Sequence, residues 1–163
     1  MPYLGNEETL VELPAFHYLK DQLDYHAIHG KELTPEKGVR DSLAEVVLKD
    51  RLTSALKELN PWLDEEGISK AVRYISRADH LGTNLLEINE KLYDTLVNLT
   101  FTVEQDLQGD GHKKHHTVHF INWEEPLKND FLVVRQFEVQ TLSGKSIFPD
   151  LVIFVNGIPV VIL

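Results

Sequence analysis

The chain of 163 residues contains no cysteine. Disulfides and thiolate zinc centres are thereby excluded, and the lack of thiols accords with a reducing cytoplasm. No apolar run approaches the roughly 20 residues that span a bilayer. The N-terminal stretch MPYLGNEETLVEL lacks the basic region and apolar segment of a secretory signal. Positive charge is scarce: 16 Lys and Arg stand against 26 Asp and Glu, for a net charge of −10. That balance argues against a domain that grips nucleic acid by itself through counterion release. A larger basic neighbour can still hold DNA against it. There is no Gly-rich phosphate loop and no Gly-x-Ser-x-Gly elbow, so neither P-loop nucleotide binding nor that serine chemistry is in prospect.

What is present is ordinary globular material, 42% apolar and 26% charged, at a length that fits one domain of about 100–200 residues. The pattern predicts an α+β fold, helical up to about Leu99–Thr100 and strand-rich after it. Leu10, Leu13, Phe16, Leu19 and Leu23 recur at mostly helical spacing over Glu7–Leu23, with Pro14 expected to kink or restart the helix. A polar loop follows, with Thr34-Pro35 and Gly38. Ser42 and Glu45 read as a capping box opening a helix that ends at Asn60-Pro61. Further helices are expected over Glu66–Ala78 and from Asn84, with Glu87 three residues on. Strands are expected at Phe101–Asp106, Thr117–Ile121, Phe131–Gln140, Phe148–Val155 and Pro159–Leu163. In the third, Phe131, Val133, Arg135, Phe137 and Val139 alternate with Leu132, Val134, Gln136 and Glu138. Short loops favour antiparallel neighbours, and the continuously apolar Leu151–Val155 run indicates a strand covered on both faces.

The closing segment, IFPDLVIFVNGIPVVIL, is the most telling. Asn156-Gly157 between two apolar runs is a tight hairpin signal. Asp150 stands at the mouth of the first run, where an unpaired buried charge costs several kcal/mol. It reads either as a turn aspartate bonded to nearby backbone donors or as a carboxylate set at a sheet edge for a hard divalent cation. The chain stops on an apolar strand with no polar cap, which points to a fragment. His112, His115, His116 and His119 read as an exposed hairpin loop or, alternatively, as transition-metal ligands, though no carboxylate or cysteine completes a zinc pattern. Lys70, Arg73 and Arg77 on the third helix form either a solvated face or a phosphate contact.

FPDLVIFVNGIPVVIL resembles the end of the nuclease core in the restriction (R) subunit of type I restriction–modification enzymes. That family reads Arg-Pro-Asp, an apolar strand, Asn-Gly-hydrophobic-Pro, a second apolar strand and Glu-x-Lys. NEETLVELPAFHYL is similar to its opening helix, Arg40–Leu59 with Asn60-Pro61 to its next, and Asn84–Asn98 to the one after. VHFINWEEPLKNDFLVVRQFEVQ carries its Asn-x-Phe-x-Val-x-x-Gln-Phe pattern at Asn129, Phe131, Val133, Gln136 and Phe137. The resemblance covers nearly the whole chain in order.

It implies a PD-(D/E)xK nuclease core, a mixed sheet flanked by helices, cutting double-stranded DNA with Mg²⁺. Asp150 falls on the first metal-ligating acid and Glu12 on an upstream acid that assists; Glu8 is the weaker candidate. In the family this domain precedes ATP-driven DNA-translocating motor domains, and the R subunit joins methylation and specificity subunits. Two departures stand out. Phe148 occupies the place of the usual Arg, and the Glu-x-Lys would begin after Leu163. The expectation is therefore an incomplete domain that does not cleave DNA as it stands. The competing expectation is a non-catalytic docking module or degenerate nuclease, to be separated by whether Glu-x-Lys follows in frame.

Overall fold

In a computed structural model that describes residues 7–141 and 143–163, helices predominate in the first part of the chain and strands in the second. A π-helical turn, Glu8–Glu12, runs into helix α1, Leu13–Gln22, and then strand β1, His26–His29. Helices α2 (Lys49–Leu59), α3 (Glu65–Ser76) and α4 (Leu85–Val97) follow. Strands β2 (Thr102–Gln105) and β3 (Lys114–Thr117) come next, then β4 (Phe131–Arg135) and β5 (Val139–Gln140). The last strands are β6 (Ser146–Ile147), β7 (Leu151–Val155) and β8 (Ile158–Ile162). The described residues form two compact units, one comprising the chain up to Leu48 with Asp130–Leu163, the other Lys49–Asn129.

The first unit holds a mixed sheet in the order β1-β4-β7-β8. Strand β1 runs parallel to β4, and the other pairs are antiparallel. This is the α+β class with a mixed central sheet that the sequence predicts. The hairpin forms as expected: Asn156 and Gly157 both take positive φ, 52° and 79°, the geometry that an Asn-Gly turn supplies. Asn156 is also buried, and it exchanges bonds with Asp130, whose N–H donates to Asn156 Oδ1 at 2.8 Å. Leu132, Val134, Phe137, Val152 and Phe154 pack with Leu33 and Leu48 as the core of this unit.

Where the first unit departs from expectation, tertiary contacts override the local signal. The Ser42–Glu45 segment caps no helix, and α2 starts at Lys49. Glu45 does reach back to the Asp41 N–H at 2.9 Å, but the segment is held elsewhere. The Gln140 N–H donates to the Leu43 carbonyl and the Leu48 N–H to that of Gly157. Arg40, buried, donates to the carbonyls of Leu33, Glu45 and Glu138 and lies over the Phe137 ring. These bonds outcompete a local helix. Strand β1 lies where the sequence predicts no strand, and its order comes from pairing with β4.

The expected Phe131–Gln140 strand is broken. Gln136 takes φ 54°, which ends β4 and resets the alternation. Phe137 therefore joins Leu132 and Val134 in the core instead of lying opposite them. The Phe148–Val155 strand is likewise divided into β6 and β7 around Pro149-Asp150.

In the second unit, α3 and α4 match the expected helices. Asp64 caps α3 by accepting from the Gly67 N–H at 2.7 Å. Asn84 caps α4 at the Glu87 N–H, and Glu87 reaches back to the Thr83 N–H. Asn60 is fully buried and terminates α2; its amide exchanges two bonds of 2.8 Å with the backbone of His119. The expected Thr117–Ile121 strand is displaced to β3, with Val118, Phe120 and Ile121 buried beyond it. No helix among the described residues is long and apolar enough to cross a membrane.

Candidate active site

The break in β4 and the start of β7 face each other across the sheet. Arg135 is the register partner of Leu151, and past that pair the two chains remain joined. The Gln136 N–H donates to the Asp150 carbonyl at 2.9 Å, and the Phe137 N–H to that of Pro149 at 3.3 Å. Only a left-handed residue at 136 makes this possible together with core burial of Phe137. Non-glycine residues seldom adopt that conformation, and those that do concentrate at functional sites. Gly30 allows it: a Cβ there would sit 2.1 Å from the Gln136 carbonyl oxygen.

The turn brings the Gln136 side chain to two acids. Its amide nitrogen donates to Asp150 Oδ1 at 3.0 Å and lies 3.5 Å from Glu12 Oε1. Arg135 Nε is also 3.5 Å from Glu12 Oε1. Both acids proposed from the sequence thus lie within 3.5 Å of one nitrogen. Glu12 is only 8% exposed, so it is not the solvated helix residue that its position alone would give. It closes the π-helical turn, a wider turn that reorients side chains and recurs at functional sites; Pro14, lacking a donor, begins the α-helical register after it. Asp150 is exposed and open to a ligand from solution. Glu8 belongs to the same turn.

His29, at the end of β1, completes the surroundings. Burial first, then the nearby Lys31 and Arg135 cations, hold its pKa below the ordinary value against the opposing pull of Glu12 and Glu32. It is therefore neutral at pH 7. His29, Lys31, Gln136 and Phe148 border a cavity of about 270 Å³ beside the acids. Phe148 here stands half exposed.

Two carboxylates, one amide and one guanidinium leave the cluster with an excess of negative charge, and its donors are hard oxygens. That set suits Mg²⁺, which needs one or two carboxylates and retains waters. Among the described residues, no group of three or more His, Asp or Glu converges as a fuller metal site. Sequence reasoning missed Arg135, Gln136 and His29 as members of the cluster. The available signal was two long polar residues in succession closing a buried apolar strand.

The other sequence candidates belong to the second unit. His115 pairs with Glu104 at 3.0 Å, whereas His116 lies against Trp62, so adjacent histidines on β3 face opposite ways. Lys70 is tied to Glu66 at 2.7 Å.

A mixed sheet whose central antiparallel pair carries an acid at the strand mouth, approached by an acid from the preceding helix, has restriction-endonuclease-like architecture. Comparison with known proteins agrees. Residues 5–163 match the family model described as type I restriction enzyme R protein N terminus, and the chain belongs to that family. A protein of Methanocaldococcus jannaschii that carries the name type I restriction enzyme MjaIXP endonuclease subunit is 39% identical over 159 residues, 96% of this chain. The type I restriction enzyme HindI endonuclease subunit of Haemophilus influenzae is 30% identical over 136 residues, 82% of this chain. The matches occupy 15% and 12% of those two proteins.

Proposed function

We propose that this chain is a portion of the Mg²⁺-dependent DNA-cleaving domain of a type I restriction R subunit, with Asp150 and Glu12 among its metal ligands. The observation that carries the reading is the Gln136 amide, which gathers both acids at one point. When bound, the ion supplies Lewis acidity toward water and a phosphodiester oxygen. The chain's own groups prepare its place. Gln136 fixes the rotamer of Asp150, Arg135 and Gln136 orient Glu12, and neutral His29 adds no charge to compete with the cation. Double-stranded DNA is the substrate in this reading. The partners are ATP-driven motor domains of the same subunit and the methylation and specificity subunits, in the cytoplasm.

The second acid and the lysine of the family pattern belong after Leu163. Leu163 and Leu151 exchange backbone bonds of 2.9 and 3.1 Å, so a strand that continued in register would run alongside Asp150. Cleavage is accordingly expected to require those residues, with none from the 163-residue polypeptide alone. The test is Mg²⁺-dependent nicking of supercoiled plasmid. A chain extended through Glu-x-Lys should nick, its Asp150→Asn variant should not, and equal nicking by the two would sink the proposal.

The alternative, a non-catalytic docking module, is favoured by the meeting of only two carboxylates among the described residues. It expects no nicking by the extended chain and no Mg²⁺ binding that depends on Asp150.

A further inference from the structure

An open groove of about 660 Å³ lies within the second unit, along one face of α3. Lys70, Arg73 and Arg77 form its rim, continued by His80 in the turn that follows. Its floor is aromatic: the Tyr74 and Phe101 rings are 4.5 Å apart, with Val103 of β2 beside them. Tyr74 also packs edge-on against His80. Lys70 is engaged by Glu66, whereas Arg73 and Arg77 are both exposed and meet no carboxylate among the described side chains. The acid on the wall, Glu104, is held by His115.

Two exposed guanidiniums along one open groove concentrate positive charge in a chain of net charge −10. Long cations gain little from isolated exposure, and the planar guanidinium is the side chain best matched to phosphate. Lys70 to Arg77 extends about 10 Å along the helix axis. That reach corresponds to about two successive phosphates on one strand of a duplex, more than a single small anion needs.

We infer that this groove binds the phosphodiester backbone of DNA, with Arg73 and Arg77 as the phosphate contacts. The inference deepens the nuclease reading and rests on it for the identity of the polyanion. It gives the domain a sequence-independent hold on DNA that is separate in residues from the acidic cluster.

The experiment is fluorescence anisotropy of a short labelled DNA duplex titrated with the 163-residue chain, in EDTA, across a range of salt. EDTA removes divalent ions, so the result does not depend on Asp150 chemistry. Binding at low salt is expected. Arg73→Glu/Arg77→Glu should weaken it about tenfold or more and lower the slope of log affinity against log salt by about 2. Arg73→Lys/Arg77→Lys should keep most of the slope. Lys57→Glu/Lys91→Glu makes the same change of charge elsewhere in this unit and should stay within about twofold of wild type. Helix content by circular dichroism checks that each variant is folded. Absence of DNA binding by the wild-type chain at low salt overturns the inference, as does an equal loss in the Lys57/Lys91 pair. Intact binding with no nicking by the extended chain overturns the nuclease reading and leaves the groove standing.

Discussion

Gln136 donates to Asp150 twice, once from its main chain to the Asp150 carbonyl at 2.9 Å and once from its side chain to the carboxylate at 3.0 Å. The first bond sets where Asp150 sits relative to β4, and the second sets where its oxygens point. Because the same amide lies against Glu12, one residue in a rare backbone conformation organises both acids.

Substitutions at 136 should therefore report on the cation site. Gln136→Leu removes the shared donor, releasing the Asp150 carboxylate and leaving Glu12 to Arg135, so Mg²⁺ affinity should fall several-fold by calorimetry. Gln136→Glu places a third carboxylate against two others, and like charges at that range oppose ionisation and folding. This variant should melt below wild type in EDTA and gain more from added Mg²⁺, because a ligand that binds only the native state raises its stability. A melting temperature of Gln136→Glu that ignores Mg²⁺ would count against a cation site here.

Much of this arrangement was legible in the sequence where the signal is local. The Asn156-Gly157 turn, the Asn84 cap with Glu87 and the Asn60-Pro61 stop each follow from one or two residues acting on their own backbone. Asp150 stood out for the same reason, as a charge beside an apolar run. What was not legible depends on distant partners. Strand β1 exists through β4, the Ser42–Glu45 segment and the residues after it yield to a bond from the Gln140 N–H to Leu43 and one from the Leu48 N–H to Gly157, and Gln136 turns left-handed because Phe137 has a core to fill. No alternation rule reveals a conformational break in the middle of an alternating run.

Gly30 is the counterpart of that break. A Cβ at 30 would lie 2.1 Å from the Gln136 oxygen and 2.9 Å from the Phe137 Cα, both backbone atoms that cannot swing aside. Gly30→Ala should cost about 3 kcal/mol, at the upper end of ordinary overpacking, and should weaken Mg²⁺ binding with it. Chemical denaturation measures the first effect; an unchanged midpoint would show that the contact between β1 and the Gln136 turn has slack.

Asn156 separates turn geometry from side-chain bonding. Its positive φ is tolerated by glycine, whereas its bond from the Asp130 N–H is not replaced by any apolar residue. Asn156→Gly should lose about 1 kcal/mol for the bond. Asn156→Ala should lose about 2–3 kcal/mol, since alanine lacks the local polar contacts by which asparagine offsets a left-handed cost of about 1–2. Urea midpoints should rank wild type, Gly, Ala in falling order, and a reversal of the two variants would mean that turn strain is negligible.

The His29 pKa ties stability to pH in a definite direction. The folded state holds it below the ordinary 6.5, through burial first and then Lys31 and Arg135, so the native protein binds the proton less readily than the unfolded chain. The resulting stabilisation is full above 6.5 and is lost as pH falls through the lowered folded value. Replacing His29 with Gln should flatten this part of the stability profile. The neighbours give the stricter check by nuclear magnetic resonance titration of the His29 ring. Arg135→Met removes a cation and should move the midpoint up, whereas Glu12→Gln removes an anion and should move it down. Opposite displacements require His29, Arg135 and Glu12 to share one electrostatic environment. A midpoint that neither variant moves would place His29 outside the acidic cluster.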